Sequence, residues 1–218
     1  MAKTASSSTP PARGGFFRGM ADVSATAGRS PWISRPGTVL YRVRRISAGV
    51  NRVKEPYFHL DVEALHLLAG GTLPEEIRAR NAAAERAGAD AKVIDASGHQ
   101  KGEKLAWRVR VHGEWSEIHL ANIKNAVEAI LTALGEDYSE YDDDQWDTAV
   151  FGKDGIAGED QPAAGLLLVG TTDARVSVKK GEVFTTTTWI NGEDVALDLI
   201  ESGVLTREEV YGKEEPVE

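Results

Sequence analysis

Three segments of the chain alternate apolar and polar side chains with a period of two, which is the pattern of half-buried β-strands. They cover residues 38–47, 57–67 and 103–111. In each segment one row of side chains is mainly apolar and the other is mainly polar, so each strand is expected to bury one face and expose the other. The alternation therefore predicts an antiparallel sheet as the centre of the fold.

Helical patterns separate these strands. Residues 118–134 carry apolar side chains at helical spacing and precede Gly135, which predicts a long amphipathic helix after the third strand. Residues 72–91 open with helix-start signals but hold few large apolar residues. They predict an exposed helical insertion between the second and third strands. Shorter helices are expected at residues 144–151 and 194–201, and residues 206–209 are a possible start of another.

Further strands follow the long helix. Residues 164–169 and 174–178 are predicted as strand, and the threonine-rich residues 183–190 as the last strand, paired in a hairpin. The order is strand, strand, insertion, strand, helix, strand, strand. This is the order of an OB-fold, a five-stranded Greek-key barrel with a helix between its third and fourth strands. The predicted class is α+β, mainly β, and a generic α+β sandwich stays open because periodicity alone does not close a barrel.

The 218 residues are expected to form one domain with two extensions. Residues 1–14 are small, polar and proline-rich, and predict a disordered arm. Residues 15–192 form the OB-fold-like domain, and residues 193–218 form an acidic C-terminal extension whose end, 208–218, is expected to be a mobile tail. The chain has no stretch of 18 apolar residues, no apolar segment at its start and no cysteine. A cytoplasmic protein without a membrane span, a secretion signal or disulfides is therefore expected.

Charge is segregated along the chain, although the net charge is −9. Residues 1–54 carry ten Lys and Arg against one acid. Residues 136–160 carry ten acids against one lysine, and residues 193–218 carry nine acids against two basic residues. Salt confines charge effects to about 8–10 Å, so a basic face can bind anions on a chain that is acidic overall.

The polar rows of the first three strands combine arginine with aromatic side chains. Guanidinium groups bind phosphates and aromatic rings stack on unpaired bases, so this combination is typical of single-strand nucleic-acid binders. The candidate phosphate ligands are Arg42, Arg44, Arg52, Lys54, Arg108 and Arg110, and the candidate stacking residues are Tyr57, Trp115 and Phe184. A solvated polar sheet face is the alternative interpretation, because Asp61 and Glu63 share the same row.

No catalytic or cofactor motif accompanies these residues. The acidic cluster around Asp142 lacks the spacing of a calcium loop, and the five histidines form no metal-binding pair. Nucleophile-elbow, Walker A and dinucleotide-binding motifs are absent. No catalytic residue, metal site or cofactor is therefore predicted, and the chain is expected to be a binding protein rather than an enzyme.

A series of short motifs resembles a group of bacteriophage early-region proteins taken to be single-stranded DNA-binding proteins. The resemblance covers roughly residues 14–192. In chain order the motifs are Pro36-Gly37-Thr38-Val39-Leu40-Tyr41, Ser47-Ala48-Gly49-Val50-Asn51-Arg52, Tyr57-Phe58-His59-Leu60-Asp61-Val62-Glu63, Lys101-Gly102-Glu103-Lys104-Leu105-Ala106-Trp107, Ala121-Asn122-Ile123-Lys124, Asp160-Gln161-Pro162-Ala163-Ala164-Gly165, and Lys180-Gly181-Glu182-Val183-Phe184-Thr185 with Trp189.

The resemblance implies an OB-fold and a ligand. The chain would coat single-stranded DNA without sequence preference during phage replication or recombination, in the cytoplasm of the host cell. Its acidic end would contact replication or recombination proteins. The alternatives are a β-barrel virion or decoration protein, and a metal-dependent nuclease that uses the aspartates around Asp142. The oligomeric state is left open, a homo-oligomer included.

Overall fold

One antiparallel sheet organises the part of the chain that this computed structural model describes, residues 32–88, 94–113, 116–155, 161–177 and 182–212. The strands are β1 (Gly37–Val50), β2 (Pro56–Gly70), β3 (Lys104–Arg110), β4 (Leu167–Val176) and β5 (Val183–Asn191). The helices are α1 (Glu75–Ala87), α2 (Ser116–Leu134), α3 (Asp143–Phe151), α4 (Glu193–Glu201) and α5 (Arg207–Tyr211). The strand order is β3-β2-β1-β4-β5. The predicted α+β class is confirmed, and closure into a barrel stays a prediction. The predicted arm, residues 1–14, lies outside the described residues.

The main core lies between α2 and one face of the sheet. The apolar rows of β1, β2 and β3 lie on this face, where Phe58 and Leu60 are fully buried. Helix α2 adds Ile130 and Leu131 from its apolar stripe, as its helical spacing predicts. Trp107 belongs to the same core, in agreement with its place on the apolar row of β3.

No helix in the described part of the chain is both long and apolar enough to cross a bilayer.

Strand β4 is continuous, whereas the sequence predicted two separate strands at 164–169 and 174–178. Gly170 lies inside this strand, in the gap after the first predicted segment. A Cβ at this position would lie 2.8 Å from Cζ3 of Trp189 and 2.9 Å from Cε2 of Tyr41. The glycine therefore gives two large core rings the space to lie against the strand. The predicted hairpin between the last two strands is confirmed as the β4–β5 pair.

Strand β1 contains a bulge that changes which arginine faces outward. Val43 pairs with Val62 and Arg45 pairs with Asp61, so Arg44 is the extra residue. Beyond the bulge, Ile46 is buried. Its N–H donates to Gln161 Oε1 at 2.7 Å, and its C=O accepts from Gln161 Nε2 at 2.8 Å. The prediction that Arg42 and Arg44 share one row is wrong, because the bulge gives the outward position to Arg45.

Residues 32 and 33 touch the free edges of both β3 and β5. Trp32 forms a parallel bridge with Ala106 of β3, and the Ile33 N–H donates to the Ala106 carbonyl at 2.9 Å. On the other side, the Thr185 hydroxyl of β5 donates to the Ile33 carbonyl at 3.3 Å. The Ile33 side chain is buried in the main core. We call this junction the β3–β5 seam.

The C-terminal helices cover part of the other face of the sheet, which we call the outer face. Leu205 and Val210 pack there on Leu40 and Leu65, in a second apolar cluster. Residues 207–211 are thus a docked helix and not part of a mobile tail, which corrects the sequence prediction for 208–218 in its first half. Burial of Val210 explains the difference, and residues 213–218 lie outside the described part.

Val210→Ala is expected to lower the free energy of unfolding by about 2 kcal/mol, because Val210 has no exposed surface and its truncation leaves a cavity. The matched control is Val204→Ala, which removes the same atoms from a side chain that is 49% exposed. It should cost less than about 0.5 kcal/mol. Urea unfolding measures both variants, and equal costs would mean that α5 does not dock in solution.

Candidate nucleic-acid interface

The uncovered half of the outer face has its side chains in four cross-strand rows over β3, β2 and β1. The registers of the β2–β3 and β1–β2 pairs place these residues directly opposite one another. The rows are Lys104–Glu63–Arg42, Ala106–Asp61–Arg45, Arg108–His59–Ser47 and Arg110–Tyr57–Gly49. The outward parity predicted for β2 and β3 is confirmed, and five cations face two acids on this surface.

Both acids on this surface are engaged by neighbours. Glu63 accepts a hydrogen bond from Arg42 at 3.0 Å, and Asp61 Oδ1 lies 3.3 Å from Nε2 of His59. Arg42 also donates to the Val210 carbonyl of α5 at 3.2 Å. Arg42 therefore connects α5 to the sheet. The cations without an acidic partner lie in the other rows, towards Arg108 and Arg110.

Seven cations around these rows have no carboxylate within 4.0 Å among the described residues. They are Arg44, Arg45, Arg52, Lys54, Lys104, Arg108 and Arg110. All but Arg108 are exposed, and Arg108 is half-buried. Burial and the neighbouring Arg110 lower the pKa of the Arg108 guanidinium, which nevertheless stays charged at any physiological pH. A phosphate that bound to these cations would therefore not have to break ion pairs among the described residues.

Tyr57 lies beneath Arg108 rather than open to solvent. The Arg108 Cζ is 4.0 Å from the centre of the Tyr57 ring, which is a cation–π contact. On β1 the ring crosses Gly49, where a Cβ would lie 2.7 Å from the Tyr57 hydroxyl. With 5% of its surface exposed, Tyr57 supports Arg108 in this conformation and presents no free ring face. The prediction that it lies on the outward row is correct, but the group above the ring is the half-buried Arg108 guanidinium.

The β1–β2 loop brings two more cations to the same end of the sheet. Asn51 builds this loop, since its Oδ1 accepts the N–H groups of Val53 and Glu55 at 3.0 and 2.9 Å. Lys54 adopts a left-handed backbone with a φ of 62°. Because β1 ends at Val50 and β2 begins at Pro56, one pair beyond the Gly49–Tyr57 row, Arg52 and Lys54 extend the basic surface beyond the last row.

Of the remaining predicted binding residues, one is engaged within the fold, one lies outside the described residues and one lies outside the four rows. Arg42 is in the first row but is engaged with α5 and Glu63. Trp115 lies outside the described residues. Phe184 lies on β5, where it is 44% exposed and pairs with Arg175. Arg45 was missed, although two consecutive arginines in an alternating strand are themselves a sign of a bulge.

The acidic cluster around Asp142 and a pair of histidines were the other candidate polar sites. Asp142 of the acidic cluster is the N-cap of α3 and accepts the Gln145 N–H at 2.9 Å, in a reciprocal capping box. The rings of His112 and His119 stack 4.9 Å apart, and burial together with His112 lowers the pKa of His119. Among the described residues no group of three or more acidic or histidine side chains is placed to hold a metal ion.

No protein-family model matches the chain, and no curated protein sequence matches it. A function therefore has to be inferred from the residues and the geometry of the outer face.

Proposed function

We propose that the chain binds single-stranded DNA, with little sequence preference, across the uncovered half of its outer face. The observation that carries this proposal is the group of cations without acid partners around Arg45, Arg108 and Arg110, together with the loop cations Arg52 and Lys54. They lie on β1, on β3 and in the β1–β2 loop, on either side of β2, where a phosphate backbone that crosses the sheet would meet them. The proposed setting is phage replication or recombination, as the resemblance implies.

The order of the strands supports an OB-fold for this chain. An OB-fold has β1 between β2 and β4, with β3 and β5 as the strands that close the barrel. In this chain the sheet order is β3-β2-β1-β4-β5, α2 follows β3, and Ile33 contacts both β3 and β5 at the seam. In OB-folds the faces of β2 and β3 and the β1–β2 loop bind oligonucleotides. The basic rows and the loop described above occupy these places.

Single strands are the favoured ligand because the surface offers flat groups beside its charges. Arg108 lies over the Tyr57 ring and is half-buried, and its buried Nε has no hydrogen-bond partner among the described residues. Guanidinium planes stack on unpaired bases, and such a ligand would give this group a partner. A duplex hides the faces of its bases, so it would use only the phosphate contacts. In this proposal Arg108 stacks on a base, Tyr57 positions Arg108, and Arg45 and Arg110 bind phosphates.

A salt titration with labelled oligo-dT and a duplex of equal length tests the proposal. Oligo-dT is expected to bind more tightly than the duplex at every salt concentration, and its affinity should fall as salt rises because bound phosphates release counterions. Fluorescence anisotropy measures both. Absence of oligo-dT binding at low salt would refute the proposal, and self-assembly without any DNA affinity would favour a structural virion protein instead.

A further inference from the structure

A buried histidine joins the segment before β1 to the loop before β3. His99 is 2% exposed, and its Nε2 accepts hydrogen bonds from the Ser34 and Arg35 N–H groups at 3.1 and 3.2 Å. Its Nδ1 lies 2.8 Å from Glu103 Oε2, and donates because a carboxylate only accepts. Both ring nitrogens are therefore in use, and the ring has to be neutral with its proton on Nδ1.

Charged groups surround this histidine from each element packed on it. Arg35 makes a forked ion pair with Glu103 and lies 3.8 Å from Asp95. Glu103 also accepts the Gln100 N–H. Tyr41 of β1 is buried close enough to feel the charges of Glu103 and Arg35, and burial raises its pKa, so Tyr41 stays neutral wherever a histidine titrates. Burial opposes a charged imidazole, Glu103 favours one and Arg35 opposes it, and burial prevails, so the pKa of His99 lies below its usual value.

We propose that His99 is an acid-sensitive latch, which in its neutral form holds residues 32–36 across the β3–β5 seam and on protonation at Nε2 releases them. A proton on Nε2 would point at two N–H donors, so both hydrogen bonds to the segment would be lost at once. Ile33, with its bonds to Ala106 and Thr185, directly precedes this anchor. Release therefore opens the seam and exposes the free edge of β3.

The direction of the pH dependence follows from the geometry. Burial lowers the pKa of His99 below its usual value in the closed state, whereas the open state has an ordinary histidine pKa of about 6.5. Above about pH 6.5 both states are neutral and the latch is closed. As the pH falls below that value, the open state binds the proton more readily. The equilibrium constant for opening then rises by up to about tenfold for each unit that the pH falls, until the pH reaches the pKa of the closed state.

Amide hydrogen exchange of the wild-type chain between pH 7.5 and 5.5 tests the latch. After correction for intrinsic exchange rates, protection of the Ser34 and Arg35 amides should fall by up to about tenfold over this range. Amides in the centre of β2 serve as the internal reference and should not change. Constant protection of the two segment amides would overturn the proposal.

Two variants separate this titration from others in the chain. In His99→Gln the amide oxygen can replace Nε2 as the acceptor but cannot be protonated, so the loss of protection in acid should disappear. The matched control His66→Gln on β2 should keep the wild-type pH dependence. A His99→Gln chain that keeps the wild-type pH dependence would refute the latch.

If His99→Gln fails to fold, ¹⁵N NMR of the His99 ring in the wild-type chain decides between the two outcomes. A proton on Nδ1 at pH 7.5 and titration below pH 6.5 support the latch, and a proton on Nε2 or titration at or above pH 6.5 refutes it.

Discussion

Replacement of Arg45, Arg108 and Arg110 together by glutamine is expected to reduce affinity for oligo-dT by roughly two to three orders of magnitude at 0.05 M salt. Each phosphate contact on a single strand contributes about 0.7 to the slope of log affinity against log salt, so three lost contacts should flatten that slope by about two. Anisotropy titrations at four or more salt concentrations measure the slope. The reduction should be alike for different base sequences, because phosphates carry no sequence information.

The control for this variant removes three positive charges from another place. Arg78, Arg80 and Arg86 lie on α1, outside the four rows, and their joint replacement by glutamine gives the same net charge. The control should bind nearly as the wild type does. Equal weakening in the two variants would mean that only the net charge matters, and unchanged binding in the first would remove the outer face as the site. The melting temperatures of both variants show whether loss of the Arg108–Tyr57 contact unfolds the chain and so accounts for any loss of binding.

The parts of the fold that follow from short-range patterns could be predicted from the sequence. The alternation in β2 and β3 is unbroken across the rows, so the outward positions of His59 and Arg108 were correct. Helix α2 was predicted nearly in full because its apolar stripe is long. In these elements local preference and burial agree, so a window of ten residues contains the necessary information.

The features that the sequence could not provide depend on distant contacts. Beyond the end of the β1–β4 pairing, the side-chain amide of Gln161 bonds the N–H and C=O of Ile46, and these two residues are 115 positions apart. Docking of α5 depends on Leu40 and Leu65, two apolar residues on otherwise polar rows. Those two exceptions were visible in the sequence and indicate that something covers the outer face there. They do not say which segment does so.

Truncation of Trp189 is expected to be the most damaging single change to stability, with a loss of about 3–5 kcal/mol for Trp189→Ala. Its ring is 1% exposed and lies 5.5 Å from the Tyr41 ring and 5.7 Å from the Trp107 ring. The strand is also held from its edge, because the Asn125 amide bonds both the N–H and the C=O of Trp189 at 2.8 and 3.2 Å. Trp32→Ala is the control, since that ring is 51% exposed and should cost far less.

A double-mutant cycle with Gly170 tests whether the ring and the glycine depend on each other. Gly170→Ala alone should cost about 1–3 kcal/mol, because its new methyl group would meet Cζ3 of Trp189. In a Trp189→Phe background that atom is missing, so the same substitution should cost clearly less. Urea unfolding followed by far-ultraviolet circular dichroism measures all four chains without relying on tryptophan fluorescence. Strictly additive costs would contradict direct contact between β4 and this ring, and with it the role of Gly170 in leaving space for the ring.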